Sequence, residues 1–169
     1  MLDWPVIAII AAVFAPFLLA VLAPFLVRIL GPATGWVLAL VPGFAAYALI
    51  RLLPDLGGLS TILVTMPWVP SWEIELSFLI DGLSLMFALT IAVVGTFIVI
   101  YADRYLADHP HRGRFLAYML AFMGAMQGLV LSDNLIALYL FWELTSVTSF
   151  LLIGFDHQRQ AARRAAIQA

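Results

Sequence analysis

The chain has 169 residues, 64% of them hydrophobic and only 11% charged, with a mean hydropathy of +1.07. A soluble domain of this length carries about a quarter charged residues, so the composition excludes one and points to an integral membrane protein. The formal charge of −2 decides little, because the charges sit in loops, and the absence of cysteine excludes disulfides and thiolate metal sites.

Taken in order, the first apolar stretch, about Trp4–Leu30, predicts a membrane helix. It follows Asp3 and no basic region, and it is too long for the apolar core of a signal peptide, so it is expected to be retained. Pro16 and Pro24 lie inside it and predict a kink. Gly31-Pro32 makes a turn before a second helix, about Trp36–Leu53, which carries Pro42-Gly43 and is still long enough to cross. The outer loop 54–81 contains Gly57-Gly58, Pro67 and Pro70. Within it Trp72–Phe78 alternates apolar and polar residues as a half-buried strand does, with Thr61–Met66 as its expected hairpin partner. A third helix, about Gly82–Tyr101, follows Asp81 in the N-cap position. The charged loop ADRYLADHPHRGR leads to a fourth, about Phe115–Leu131. Ser132-Asp133 forms a tight turn in which Asp133 is placed to cap the fifth helix. The tail 156–169 is polar and basic. The fold class is therefore all-α integral membrane, with five transmembrane helices and a short outer β-hairpin between the second and third.

The fifth helix, 134–155, reads NLIALYLFWELTSVTSFLLIGF and carries one carboxylate, Glu143, near its middle. Glu143 lies ~13 Å along the helix from Asn134, close to the bilayer midplane. An acidic side chain there costs roughly 2.5–3.5 kcal/mol on insertion scales, and such groups usually mark ion or proton routes. Tyr139, Glu143 and Ser146 stand at i−4, i and i+3 and share one face able to pass a proton. Low dielectric favours the neutral acid and a nearby cation favours the carboxylate, so a moving positive partner would switch such a group. The chain has no Lys, and every Arg falls near a predicted membrane surface, so the partner is expected from outside these residues.

Counting Arg sets the orientation. With five crossings one side holds Arg28, Arg104, Arg112, Arg114, Arg159, Arg163 and Arg164, and the other holds Arg51 alone. The first side is expected in the cytoplasm and the N-terminus outside, in the cell membrane. Trp4, Trp36, Trp68 and Trp72 fall at helix ends or in the outer loop as interfacial anchors, and Trp142 stands beside Glu143.

The other polar residues have plainer readings. Thr145 and Ser149 lie on a different stripe of the fifth helix and are assigned to helix packing. Gly124 and Gly128 form a small-xxx-small pair that admits another helix, and Gln127 is expected to hydrogen-bond across helices. His109 and His111 supply two imidazoles without a third ligand, so no metal site is expected. Arg159, Arg163 and Arg164 are expected at the headgroup level. There is no Gly-rich phosphate loop, nucleophile–base pair or intramembrane pair of His, so neither a cofactor nor enzymatic chemistry is expected.

Particular residues then carry a family likeness. Phe141-Trp142-Glu143-Leu144-Thr145-Ser146, followed by Ser149 to Phe155, resembles the fifth helix of antiporter-like membrane subunits. Leu76 to Ser84 resembles their strand-to-helix approach, and Arg114-Phe115 through Met126, then Leu131 to Asn134, resembles their fourth helix and turn. The likeness is to the large A-type subunit of Mrp-type multisubunit Na+/H+ antiporters, with the long subunit of respiratory complex I as a relative; the Glu-Leu-Thr-Ser run favours the Mrp type. The resemblance implies a subunit moving H+ and Na+, assembled with other subunits in the lipid bilayer, in which Glu143 pairs with a Lys two helices further on. It implies an outer hairpin and places Asp81 at an acidic position of the family; Asp81 is thus a possible supporting group, as Tyr139 and Ser146 are from the shared helix face. Family members have a dozen or more helices, so residues 1–169 are expected to be the N-terminal part of such a domain. Two other readings remain beside this one: a proton-pumping subunit of complex I or a related redox complex, and a non-transporting membrane scaffold.

Overall fold

The computed structural model describes residues 3–56, 60–69, 71 and 74–156. α1 (Trp4–Ile9) opens with Pro5 in its first turn, where a missing N–H costs little. A π-helical turn, Ile10–Phe14, joins it to α2 (Ala15–Leu30). The wide turn falls just ahead of Pro16, which has no N–H to continue the ordinary ladder, so the kink predicted there takes the form of a local change in helix type. α2 ends at Gly31, whose φ of 54° is costly for any residue with a side chain. A short 3-10 turn, Gly31–Ala33, leads into α3 (Thr34–Ile50). The indole nitrogen of Trp4 donates to the Ala48 carbonyl at 3.1 Å, so the two ends of this long apolar run lie together.

β1 (Ile62–Val69) and β2 (Ile74–Ile80) pair antiparallel, with Ile62 opposite Ile80 and an irregularity between Pro67 and Val69. The predicted hairpin is present and runs two residues beyond Phe78; Trp72 and Glu73 lie outside the described residues. Val64, Phe78 and Ile80 are buried, with β1 against α1 and β2 against α4, α5 and α6.

α4 (Gly82–Tyr105), α5 (Arg112–Leu131) and α6 (Leu135–Ile153) follow. α4 and α5 both extend into the stretch predicted as a loop, leaving only residues 106–111 between them. The physical reason is that Asp103 and Arg112 pair with each other and so can be helical. Asp133 does not cap α6. Asn134 does, its side-chain oxygen accepting from the Ala137 N–H at 2.8 Å. Asp133 instead accepts from the Ser77 hydroxyl at 3.0 Å, while its N–H donates to the Ser77 carbonyl.

Among the described residues four helical runs are long and apolar enough to cross a bilayer: Trp4–Ile50, Gly82–Tyr105, Arg112–Leu131 and Leu135–Ile153. α5 takes the centre, packed by α2, α4 and α6, while α3 lies against α4. The core falls in two parts, both rich in alanine, which lets helices approach closely where lipid supplies no hydrophobic drive. One lies under the hairpin around Phe78, Leu49 and Leu131. The other surrounds Leu38, Val99, Leu116 and Leu120 toward the opposite end.

Candidate functional site

The helix that carries Glu143 is fixed at its N-terminal end. β2 lies over the turn between α5 and α6: Phe78 bridges to Ser132, and Asn134 donates to the Glu75 carbonyl at 2.9 Å. Small residues seat the helices below. Gly128 faces the ring of Phe141, and a Cβ at Gly124 would come within 2.9 Å of the Val13 carbonyl oxygen and of the Phe17 ring. Gln127 donates to the Ala88 carbonyl of α4 at 2.9 Å, the expected bond across helices. The hairpin contacts and the seat of Phe141 on Gly128 set the rotation of α6 against α5, and the Gly124 and Gln127 contacts hold α5 against α2 and α4.

With that rotation, Glu143 faces outward, exposed alongside Tyr139 and Ser146. The expected sharing of one face is present, and the Tyr139 and Glu143 side chains interact. Ser146 is not bonded to the acid; its hydroxyl donates to the Trp142 carbonyl of its own helix at 3.2 Å. The face is therefore open to whatever the described residues do not supply. Beside it, Trp142, Thr145, Ser146 and Ser149 line a groove of about 360 Å³ against Phe122 and Met126 of α5. Thr145 and Ser149, assigned from sequence to helix packing, thus border an open groove, with Thr145 satisfied by the Trp142 carbonyl at 2.6 Å.

Asp81 is set apart from this face, at the start of α4. It accepts from the Ser84 N–H at 2.7 Å while the Ser84 hydroxyl accepts from the Asp81 N–H at 2.9 Å, a reciprocal capping box. The Ser84 amide, and then its hydroxyl, hold the Asp81 carboxyl below the usual aspartate range. A smaller hollow of about 270 Å³ joins Asp81 and Ser84 to Ser132 beside the hairpin.

Sequence reasoning missed a second charged site. Asp103 on α4 is 1% exposed and Arg112 on α5 is 8% exposed. Asp103 Oδ1 and Arg112 Nε lie 3.1 Å apart without hydrogen-bond alignment, so the contact is chiefly electrostatic. An Arg112 Nη2 donates to the Gly31 carbonyl at 2.6 Å, which also accepts from the Thr34 hydroxyl at 2.7 Å. The close approach of Gly35 to Asp103 closes the cluster, for a Cβ there would fall 2.6 Å from the Asp103 Cβ. The signal in the sequence was a pair of opposite charges nine residues apart around a short turn. The tail residues Arg159, Arg163 and Arg164 lie outside the described residues.

Comparison with known proteins follows the same geography. Residues 66–116 match the family model for the N-terminus of chain 5 of NADH-ubiquinone oxidoreductase (complex I). Residues 132–169, which include Glu143, match the transmembrane family model of NADH:quinone oxidoreductase and Mrp antiporters. The chain belongs to this family of antiporter-like membrane subunits. Within it the likeness is to the large A-type subunit of Mrp antiporters: the chain is 43% identical over 128 residues to the A1 subunit of the Staphylococcus aureus Na+/H+ antiporter, covering 76% of this chain and 16% of that one. The structure of the Mrp complex from a Dietzia species matches with a TM-score of 0.75 at 28% identity, over 95% of this chain and 17% of that one. Respiratory complex I from Thermus thermophilus matches with a TM-score of 0.66 at 25% identity, over 86% and 28%. The chain thus spans about a sixth of the length of these Mrp relatives, and it is a multi-pass membrane protein as they are.

Proposed function

We propose that the chain forms the N-terminal part of the antiporter-like domain of a multisubunit Na+/H+ antiporter, and that Glu143 passes protons through it. The observation that carries this reading is a lone carboxylate near mid-membrane, on a helix anchored from both the hairpin and α5, facing outward with Tyr139 and Ser146. A charge in that position is unfavourable unless something pairs with it. The resemblance supplies a Lys from a later helix, whose approach favours the carboxylate and whose withdrawal favours the acid. Asp81 remains a cap in this scheme and a supporting group at the outer end.

Five crossings suit this reading, with α1 and α2 descending and α3 returning, as the contact between Trp4 and Ala48 supports. The Arg imbalance then puts the N-terminus and hairpin outside the cell membrane and the Asp103–Arg112 cluster toward the cytoplasm. The work is transport and not catalysis. Replacing Glu143 by Ala in the full-length protein, with its partner subunits, is expected to abolish Na+-dependent pH change in everted vesicles. Unchanged exchange would remove Glu143 from the route.

A second reading is favoured by residues 66–116, which match a complex I subunit. On it the same Glu143 serves a redox-driven proton pump, and vesicles would show proton uptake on quinone reduction without Na+. A scaffold role predicts that neither measurement responds to Glu143.

A further inference from the structure

A cavity of about 580 Å³ lies between the α4–α5 loop and the end of α6, with Tyr105, Asp108, His109, Phe155 and Asp156 in its wall. His109 is its pivot. The His109 ring stands 5.2 Å from the ring of Phe155 and 5.8 Å from that of His111, and Phe155 in turn meets Phe115 edge-on at 5.0 Å. Its Nδ1 accepts the backbone N–H of His111 at 3.1 Å. Its own carbonyl accepts the N–H of Arg112, the first residue of α5 and the one buried against Asp103. The imidazole thus holds His111, the residue that caps the central helix, while the backbone carbonyl holds Arg112.

That fastening depends on protonation. An imidazole nitrogen accepts a hydrogen bond only while it carries no proton. We infer that His109 is a proton-operated switch: when a proton binds at Nδ1, the His111 N–H loses its acceptor and the start of α5 loosens. The groups around it can hold the cation. Asp108 on the loop, Asp156 after α6 and Tyr105 on α4 line the same cavity. Opposing them are the positive end of α5, the adjacent imidazole of His111, and the guanidinium of Arg112, which is engaged by Asp103. Arg104 is exposed at the end of α4. Histidine is the side chain most often used in proton-operated switches. The direction of its effect rests on the antiport reading: on the cytoplasmic side, protons accumulating from exchange would loosen the helix that seats α6 and slow further uptake.

The test is hydrogen exchange of the His111–Phe115 backbone in the full-length complex at pH 8 and pH 5.5, with variants compared at equal pH. His109→Asn keeps an acceptor in place and does not titrate, whereas His109→Ala lacks the acceptor at both pH values. Wild type is expected to match His109→Asn at pH 8, then to exchange on the order of fivefold faster than it at pH 5.5, the scale of one net hydrogen bond. At pH 5.5 it is also expected to converge on His109→Ala. A wild type that tracks His109→Asn at both pH values, or that stays slower than His109→Ala at pH 5.5, overturns the inference. The acid-side fall in Na+/H+ exchange is expected to vanish in His109→Asn. If the hydrogen-exchange difference appears while no form of the complex exchanges Na+, the switch stands and the antiport reading fails.

Discussion

Two acidic side chains on neighbouring parts of one bundle are treated in opposite ways. Asp103 is buried and paired with Arg112, which is itself tied to the Gly31 carbonyl. Glu143 is exposed, and of the described residues Tyr139 is the one whose side chain interacts with it. Both acids lie on apolar helices, where an uncompensated charge is costly. The first is compensated by this chain and serves to hold three connections together. The second has no counter-charge among the described residues, and the proposed proton role rests on that difference.

The largest expected effect breaks the first member of the pair. Asp103→Asn keeps the shape but leaves the Arg112 guanidinium buried without a counter-charge, and is expected to cost about 3–5 kcal/mol in unfolding of the full-length protein in mixed micelles. Replacing Asp103 and Arg112 together by Leu is expected to recover most of that loss, since removing both charges also removes their desolvation cost. Equal destabilisation by the double variant would mean that the pair does more than neutralise itself.

How far the sequence foretells this contrast depends on the kind of signal. Helices and hairpin were legible because apolar length and the alternation at Trp72–Phe78 each have one cheap structural solution in or beside a bilayer. The shared face of Tyr139, Glu143 and Ser146 follows from helical period alone. The exposure of that face does not, because it depends on which neighbours α5 recruits, and that is settled by Gly124, Gly128 and Phe141. Asp103 and Arg112 were hidden for a related reason. A charge near a predicted helix end reads as solvated until tertiary contact shows its partner, and the same blindness placed the α6 cap on Asp133 instead of Asn134.

A middling effect is expected at Asp81, where the charge is compensated by the Ser84 amide and then its hydroxyl and not by a counter-charge. Asp81→Ala is expected to cost about 1 kcal/mol, and Asp81→Asn little, because Asn is as good an N-cap. The folded carboxyl sits below the ordinary aspartate value of 3.8, so its contribution is complete above that pH and fades as pH falls through the lower folded value. Stability of wild type measured down to pH 3 is therefore expected to drop more than that of Asp81→Asn. Parallel acid limbs in the two proteins would show that the Ser84 amide does not discriminate between charged and neutral caps.

The smallest expected effect on stability belongs to Glu143, and it sharpens the comparison most. Glu143→Gln preserves length and an oxygen able to accept from Tyr139, and it removes a charge that no buried cation among the described residues depends on. Its cost in unfolding is expected to stay within about 0.5 kcal/mol, the range of substitutions away from packed or paired groups. The same variant is expected to lose proton passage, because an amide cannot take up and release a proton in the working range. Small cost with lost exchange is the signature of an acid kept for chemistry. If Glu143→Gln instead destabilises the protein as strongly as Asp103→Asn, then Glu143 is held by a structural partner, and the two acids differ only in where that partner lies.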